Sequence, residues 1–336
     1  MHRYYDDVYG FSPVPDGLLG DLVASKAVNR LRGVGQAGAS SFVRAGRSNT
    51  RFEHSLGVMT LTRILGGSET EQAAGLLQDL SHTAFSHTID YVFDDRMEEF
   101  HERIFASVIE QNDVPEILAR HGHNWRELFS ELNLQRVDVP APGLCADRID
   151  YTLRDLMKLG WITASQARAF VDQLTFRDGV VVSLDVTAAV RFTEWYAHLV
   201  GEVFLHPLEL YAHHTFARLL KEAFAAEVLT DEDLLSTDDV VLSKLLSDDK
   251  NGFDRALAAL RRVRTVTVGD PVHGVRVHGK GRRIDPPVVV DGAVVPLSQV
   301  RPDTSALWTK VERVSRDGVL VSAGSADEAL SLGVVR

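Results

Sequence analysis

Histidine, aspartate and glutamine side chains of the kind that bind metals lie in three separated segments of this 336-residue chain. The first contains His54, the second contains Gln78-Asp79 followed by His82 and His87, and the third contains Asp147. Imidazole and carboxylate groups are common protein ligands of divalent metals. A bound divalent metal can polarise a phosphoryl oxygen and acidify water. The pattern therefore predicts a metal site that folding assembles from several helices.

Further titratable side chains accompany these predicted ligands. Asp90 follows His87 by three positions, and His101 precedes Glu102 in a later predicted helix. Imidazole groups titrate near neutral pH, so His82, His87 and His101 are candidates for giving or accepting a proton. A single isolated histidine is more often structural, whereas histidines interleaved with aspartates in this way favour an acid–base role.

The charge composition limits the classes of partner. Acidic residues exceed basic ones, 47 against 36, and the resulting net charge of -11 argues against broad binding to nucleic acid or anionic membranes. A local cluster of Arg44, Arg47, Arg51 and Arg148 is still compatible with a small pocket for phosphate. By charge alone, Arg44 and Arg47 are interpreted as a solvated basic loop.

The sequence also lacks the features of an exported or membrane-spanning protein. The single cysteine, Cys145, has no partner for an intramolecular disulfide, and we interpret it as a buried, unreactive thiol. The amino-terminal residues lack the apolar stretch of a signal peptide, and no apolar run reaches the roughly 18 residues of a membrane span. We therefore expect a soluble protein in the cytoplasm.

Apolar residues recur at helical spacing from about residue 15 to about residue 262. This spacing predicts a mainly α fold in which separate helices carry the predicted ligands. Glycines mark several of the predicted helix ends, among them Gly66-Gly67 and Gly160. The predicted helices are one with His54 that ends at Gly66, one from Glu69 to Gln78-Asp79, one over 97–109, one over 144–159, and longer ones over 185–203 and 207–226.

The pattern changes beyond residue 262. Short runs of β-branched residues are separated there by Gly, Pro and Asp, so we predict a helical domain over 1–262 and a small β-rich C-terminal appendage over 263–336. Asp178-Gly179 predicts a hairpin within the helical part, and Asp291-Gly292 predicts a turn within the appendage. Ser41–Arg44 is predicted to be extended.

The order and spacing of these segments resemble the HD-domain phosphohydrolases, in particular their deoxynucleoside triphosphate triphosphohydrolase branch. In that family a His, a His-Asp pair and an Asp bind a metal within an all-helical domain, and the matching positions are His54, Gln78-Asp79 and Asp147. The resemblance covers about residues 16–160 with specific motifs and is absent from the β-rich tail. It implies an HD-domain helical core and a metal-dependent hydrolase of nucleotides.

The resemblance also implies roles for residues around the predicted ligands. His82 and His101 correspond to the catalytic histidines of the family, and His87 and Asp90 belong to the same catalytic block. We expect His101 or Asp90 to orient His82, which would protonate the leaving sugar oxygen. The implied substrate contacts are Gln36, Tyr151 and Asp155 toward the sugar and Arg51 and Arg148 toward the phosphates.

Gln78 departs from the family pattern, because it stands where the family has the histidine of the His-Asp pair. An amide oxygen is a weaker ligand than imidazole for manganese, iron, nickel or zinc, but it suits magnesium. Three consequences are open: a metal bound mainly by His54, Asp79 and Asp147, a preference for a harder ion, or no metal at all. The intact acid–base set favours an active site over a silent one.

Two other functions are therefore weighed beside hydrolysis of a deoxynucleoside triphosphate. One is a catalytically silent protein that binds nucleotide for a regulatory purpose. The other is a phosphatase of a different nucleotide or small phosphate ester. By resemblance alone we also expect a homo-oligomer, whereas a nucleic-acid partner or a membrane partner is not expected.

Overall fold

Helices dominate the chain in the computed structural model, which describes residues 2–44 and 48–323. The prediction of a mainly helical protein with a β-rich C-terminal region is confirmed. None of the described helices is long and apolar enough to cross a lipid bilayer. Arg47, predicted to be part of a basic loop, lies outside the described residues.

The helices before residue 174 include every helix that carries a predicted site residue. Their bounds are α1 Leu18–Ala24, α2 Lys26–Arg30, α3 Ser40–Val43, α4 Arg51–Ile64, α5 Glu69–Leu77, α6 Thr88–Val92, α7 Phe100–Glu110, α8 Val114–Arg120, α9 Trp125–Leu128, α10 Glu131–Leu134, α11 Ala146–Lys158 and α12 Ala164–Val171, with a 3-10 turn over Leu31–Gly33.

The remaining helices pack against this group and extend into the C-terminal region. Their bounds are α13 Val186–Leu199, which continues as a π-helical turn over Val200–Phe204, then α14 Pro207–Ala225, α15 Asp231–Leu234, α16 Asp238–Ser247, α17 Phe253–Leu260, α18 Leu297–Val300 and α19 Thr309–Asp317, with a 3-10 helix over Pro302–Trp308.

Three small sheets complete the fold. Their strands are β1 His2–Asp6, β2 Gly10–Val14, β3 Leu174–Arg177, β4 Val180–Ser183, β5 Val266–Val268, β6 Val275–Val277, β7 Pro287–Val290, β8 Ala293–Pro296 and β9 Val319–Ala323. The first sheet is the hairpin β1-β2, the second has the order β3-β4-β7-β8, and the third has the order β5-β9-β6. Because β7 pairs in parallel with β4, the appendage shares a sheet with the helical part.

The predicted boundaries of α4 and α5 are confirmed, and capping explains where both begin, whereas α7 begins at Phe100 and not at residue 97. Thr50 and Glu53 form a capping box at the start of α4, and Ser68 and Glu71 form another at the start of α5. Such boxes satisfy backbone N–H groups that the first turn leaves free. The hairpin at Asp178-Gly179 is also confirmed.

Two local predictions differ from the structure. Ser41–Arg44 is not extended, because α3 forms there. This helix buries Phe42, and the centroid of its ring lies 4.8 Å from the ring centroid of Phe216 on α14. Tertiary packing thus overrides the local strand preference. The β1-β2 hairpin was not expected, and its turn is stabilised by Asp6, which accepts hydrogen bonds from the backbone N–H groups of Val8 and Tyr9.

Close packing of α4 against α11 sets the distance between two site helices. A Cβ added to Gly57 on α4 would lie only 2.0 Å from Asp150 Oδ1 and 2.1 Å from Arg154 Nη2 on α11. Any larger residue would push the two helices apart. This contact brings His54, one turn before Gly57, within reach of α11.

A buried ionic network stabilises the same helix pair. Arg154 donates to Asp150 on its own helix and to Asp6 of the amino-terminal hairpin, with Nη2–Oδ distances of 2.8 Å in both cases. The two carboxylates are fully buried and Arg154 is 4% exposed. Removing one member of a buried ion network leaves uncompensated charge, at a cost of about 3–5 kcal/mol.

We therefore expect Arg154→Met to lower the free energy of unfolding by about 3–5 kcal/mol, because Asp6 and Asp150 would lose their cation. Urea unfolding followed by circular dichroism measures this change. Arg168→Met, at an exposed position on α12, is the control and should change stability by less than about 0.5 kcal/mol. Equal stability of the two variants would contradict the role of the network.

Candidate functional site

The four predicted metal ligands converge at one place in the fold. His54 lies on α4, Gln78 and Asp79 follow α5, and Asp147 lies in the first turn of α11. The Nε2 atom of His54 is 2.9 Å from Asp147 Oδ1 and 3.4 Å from Asp79 Oδ2. Side chains that are 93 residues apart in sequence are therefore in direct contact.

The orientation of His54 is fixed from behind by α11. Its Nδ1–H donates to the buried Asp150 carboxylate at 2.7 Å, which directs Nε2 toward Asp79 and Asp147. Burial lowers the pKa of His54, but hydrogen bonds to Asp147 and Asp150 and the charge of Asp79 outweigh it and raise that pKa to about 10. The surroundings of this ring thus strongly favour positive charge.

The side chain of Gln78 lies beside two of the other predicted ligands, His54 and Asp147. Its Nε2 donates to Asp147 Oδ1 at 2.9 Å and lies 3.3 Å from His54 Nε2. The nitrogen and oxygen of a terminal amide exchange places when the amide rotates by half a turn, so the amide oxygen can face the same point.

These residues fit a divalent metal. One imidazole nitrogen and the carboxylates of Asp79 and Asp147 form a mixed donor set that suits several divalent ions, and Gln78 adds an amide oxygen. Asp147 also belongs to a neighbouring group, in which the ligand atoms of Asp138, Cys145 and Asp147 all lie within 4.8 Å of one another. Burial raises the pKa of the Cys145 thiol to about 12, so this cysteine remains protonated at neutral pH.

Three histidines form a compact cluster beside the predicted metal ligands. The rings of His82 and His101 are stacked, with 3.9 Å between their centroids, and the ring of His87 lies 5.0 Å from that of His82. Burial lowers the pKa of His82 well below its usual value and that of His101 to about 3, and neighbouring cations add to both effects. These surroundings favour the neutral form of both rings.

Of the two residues expected to orient His82, His101 contacts it and Asp90 does not. Asp90 does not orient His82, because its Oδ2 accepts from His87 Nδ1 at 2.9 Å and its Oδ1 accepts from the backbone N–H of Phe100. His82 instead contacts Asp79, with 3.4 Å between Nε2 and Oδ1, and stacks on His101. The Nδ1 atom of His101 is buried without a hydrogen-bond partner among the described residues.

The loop that carries His82 and His87 is fixed by contacts from distant parts of the chain. Phe85 and Ser86 adopt positive φ angles of 60° and 46°, which are unusual for residues other than glycine. The backbone N–H of Phe85 donates to Asp238, and Arg30 donates to the carbonyl oxygen of His82. These contacts hold the two histidines at fixed positions in a segment without regular structure.

The predicted sugar contacts lie near one another. The side-chain Oε1 of Gln36 is buried without a hydrogen-bond partner among the described residues. Asp155 accepts from Asn49 at 3.1 Å, and burial raises the pKa of Asp155 to about 6. The hydroxyl of Tyr151 forms a 2.7 Å hydrogen bond with that of Tyr196.

The two predicted phosphate contacts already have protein partners. Arg51 is 4% exposed, donates to Asp79 Oδ2 at 2.6 Å and also donates to Ser86. Arg148 donates to the carbonyl oxygens of Val139 and Gly143. Arg51 thus neutralises a predicted metal ligand, and Arg148 borders the cavity through its position on α11.

Most of the predicted site residues line one cavity of about 650 Å³. Its volume lies within the range of about 300–1,000 Å³ that is typical of small-molecule sites. His54 and Asp90 lie behind its wall, whereas the other predicted site residues line it: Gln36, Arg51, Gln78, Asp79, His82, His87, His101, Asp147, Arg148, Tyr151 and Asp155.

The sequence that forms this site is similar to sequences of known proteins. The sequence family described as the HD domain matches residues 51–155. The metal-dependent phosphohydrolase cns2 of Cordyceps militaris is 32% identical, over 88% of this chain and 88% of its own length. This chain belongs to the HD-domain phosphohydrolase family.

Other relatives extend the similarity over nearly the whole chain. The protein YdhJ of Bacillus subtilis is 38% identical, over 94% of this chain and 97% of its own length. The deoxynucleoside triphosphate triphosphohydrolase SAMHD1 homolog of Dictyostelium discoideum is 25% identical, over 94% of this chain and 65% of its length. A crystal structure of a phosphohydrolase from Bacteroides thetaiotaomicron has the same fold, with a TM-score of 0.75, 18% identity and coverage of 96% and 98% of the two chains.

Sequence reasoning missed one wall of the HD-domain cavity. The additional lining residues come from the loop before α7, from α6 and α14, and from the segment between β6 and β7: Tyr91, Glu98, His213, Lys280, Arg282 and Arg283. The basic run 280–283 was a visible signal, but the sequence gives no indication that the appendage reaches the predicted metal ligands.

Proposed function

We propose that this protein is a metal-dependent phosphohydrolase of nucleotides, which converts a deoxynucleoside triphosphate into deoxynucleoside and triphosphate. The observation that supports this best is the shared cavity. It is lined by three of the four predicted metal ligands, by the stacked pair His82 and His101, and by the predicted sugar contacts Gln36 and Asp155.

A divalent metal would be bound by His54, Asp79 and Asp147, with Gln78 as a further oxygen donor. Bound there, it would supply Lewis-acid polarisation of a phosphoryl oxygen. Manganese, iron, zinc, nickel and magnesium are all compatible with this donor set. Arg51, paired with Asp79, would limit the negative charge that the site presents to phosphate.

The protein side chains would then handle the proton. His82 is neutral in the unliganded cavity, and the negative charge of a phosphate chain would raise its pKa and favour the imidazolium form. We propose that water attacks the α-phosphorus and forms the new P–O bond as the bond to the sugar oxygen breaks, that His82 donates this proton to the leaving sugar oxygen, and that the proton of the attacking water passes to solvent. His101 stacks on its ring and restricts the ring to one orientation.

The choice of a deoxynucleoside triphosphate rests on the motif pattern and on a relative named for that activity. Gln36 supports it further, because a buried carbonyl oxygen without a partner is costly unless a ligand satisfies it. Tyr151 and Asp155 line the same cavity and would face the sugar. We also propose a homo-oligomer, which light scattering after gel filtration would test.

Two alternative functions have observations of their own. A phosphatase of another phosphate ester is favoured by the higher identity to cns2, whose name specifies no nucleotide. A silent nucleotide-binding protein is favoured by Gln78, whose hydrogen bond to Asp147 occupies a carboxylate that a metal would use.

The decisive experiment analyses reaction products. Metal-stripped protein is supplied with Mn²⁺ or Mg²⁺ and incubated with deoxynucleoside triphosphates and with nucleoside monophosphates, and products are separated by anion exchange. We expect metal-dependent release of triphosphate. Release of inorganic phosphate from a monophosphate alone would establish the phosphatase, and nucleotide binding without turnover under either metal would establish the silent protein.

A further inference from the structure

The β-rich appendage contributes one wall of the candidate active site. The segment between β6 and β7 crosses the cavity and places Lys280, Arg282 and Arg283 along the same lining as His82 and His101. These three cations lie far outside residues 51–155, which match the HD domain. Their contacts distinguish a binding function from a structural one.

Tight packing fixes the position of this segment. A Cβ added to Gly279 would lie 2.5 Å from Leu205 Cδ2 and 2.9 Å from Leu210 Cδ2, so the backbone rests directly on the helical domain. The hydroxyl of Tyr91 donates to the carbonyl oxygen of His278 at 3.0 Å. On its other side, a Cβ added to Gly281 would lie 2.8 Å from Ser315 on α19.

Glu98 anchors the segment from the opposite wall. This carboxylate is 6% exposed, forms an ion pair with Arg282, and accepts from the backbone N–H of Lys280 at 3.4 Å. Glu98 has a positive φ of 55°, an uncommon conformation that its two contacts help to stabilise. The guanidinium of Arg282 also lies over the ring of Phe204, 5.3 Å from its centroid.

Lys280 differs from the paired arginines of the cavity. Arg51, Arg282 and Arg44 are each neutralised by a carboxylate within the protein. Lys280 is half-buried, and its ammonium forms no ion pair within residues 2–44 and 48–323. Its charge lowers the pKa of His101, after burial and the charges of His87 and Arg51, and it also acts on the carboxylates of Glu98 and Glu102.

We propose that Lys280 binds the phosphate chain of the substrate from the appendage side of the cavity, and that Glu98 and Arg282 act as positioning residues for it. An ammonium group on the wall of this cavity, beside Arg282 and Arg283 and without an ion-pair partner among the described residues, is suited to an anionic ligand. The identity of this ligand as a nucleotide polyphosphate rests on the proposed function, but the recognition of polyphosphate does not.

The test measures binding of inorganic tripolyphosphate to the full chain by isothermal titration calorimetry. We expect Lys280→Ala to weaken binding about tenfold or more, with partial recovery in Lys280→Arg. Arg276→Ala is the matched control and should bind as the wild type does, because Arg276 is exposed on β6 and donates to the carbonyl oxygen of Asp317. Equal affinity of the wild type and Lys280→Ala, or no binding by the wild type, would overturn the proposal.

A second variant tests the placement of the segment independently of charge. Gly279→Val, whose branched side chain exceeds what a small shift of the buried Leu205 and Leu210 side chains can accommodate, should displace the backbone and weaken tripolyphosphate binding while Lys280 is intact, whereas unchanged binding would count against a positioned lysine. With a nucleotide substrate, Lys280→Ala should raise KM more than it lowers kcat. If tripolyphosphate binding depends on Lys280 but no nucleotide is cleaved, the proposed function is wrong and the phosphate-binding role stands.

Discussion

Replacing His82 by alanine is expected to lower kcat by about 10²- to 10⁴-fold while nucleotide affinity changes little. His82 is 2% exposed, stacks on His101 and contacts a predicted metal ligand, Asp79. In the proposed mechanism its proton is needed only as the sugar oxygen leaves. Its loss therefore raises the barrier of the chemical step much more than it weakens ground-state binding.

The measurement is steady-state release of triphosphate combined with calorimetric nucleotide binding. His273→Ala is the control, because His273 is exposed and lies outside the residues that line the cavity. If His82 and His101 act as one unit, the double alanine variant should be little slower than His82→Ala. Turnover by His82→Ala at the wild-type rate would remove this residue from the mechanism.

Much of the site could be predicted because its residues are governed by local rules. The helix that carries His54 starts at a capping box and ends near Gly66, and the next helix ends at Gln78 as its spacing indicates. The order and spacing of the His and Asp residues indicated a shared metal site. A shared site requires His54 and Asp147 to lie close together, as they do.

The parts that could not be predicted depend on contacts between distant segments. Lys280 reaches the cavity because Gly279 packs on Leu205 and Glu98 anchors the backbone, and no local pattern specifies either contact. Asp90 has more than one possible histidine partner, since His87 lies three residues and His82 eight residues before it, and the fold selects His87.

The pairing between β4 and β7 could not be predicted either, because it also depends on a contact between distant segments. The strands themselves are visible as β-branched runs, but Ser183 and Val288 meet across more than one hundred residues of sequence. The boundary at residue 262 therefore marks a change in composition, while the sheet and the cavity both continue across it. A site that depends on both regions requires the appendage to be folded against the helices.

Replacing Gln78 by histidine is expected to raise affinity for Mn²⁺ by about 10- to 100-fold and to increase the preference for Mn²⁺ over Mg²⁺. An imidazole nitrogen is a better ligand for manganese than an amide oxygen. The substitution also removes the amide N–H that donates to Asp147 at 2.9 Å, which releases that carboxylate for the metal. Metal affinity is measured by calorimetry on stripped protein.

Gln72→His serves as the matched control. Gln72 lies on α5, the helix that Gln78 directly follows, and its side chain donates to the carbonyl oxygen of Gly67, away from the cavity. If the wild type is silent because of residue 78, then Gln78→His should gain turnover with Mn²⁺ and the control should not. If the wild type is active with Mg²⁺, the substitution should shift the metal that supports the highest kcat. Unchanged affinity for both ions in Gln78→His would show that residue 78 does not face the metal, and the ligand set would then be His54, Asp79 and Asp147 alone.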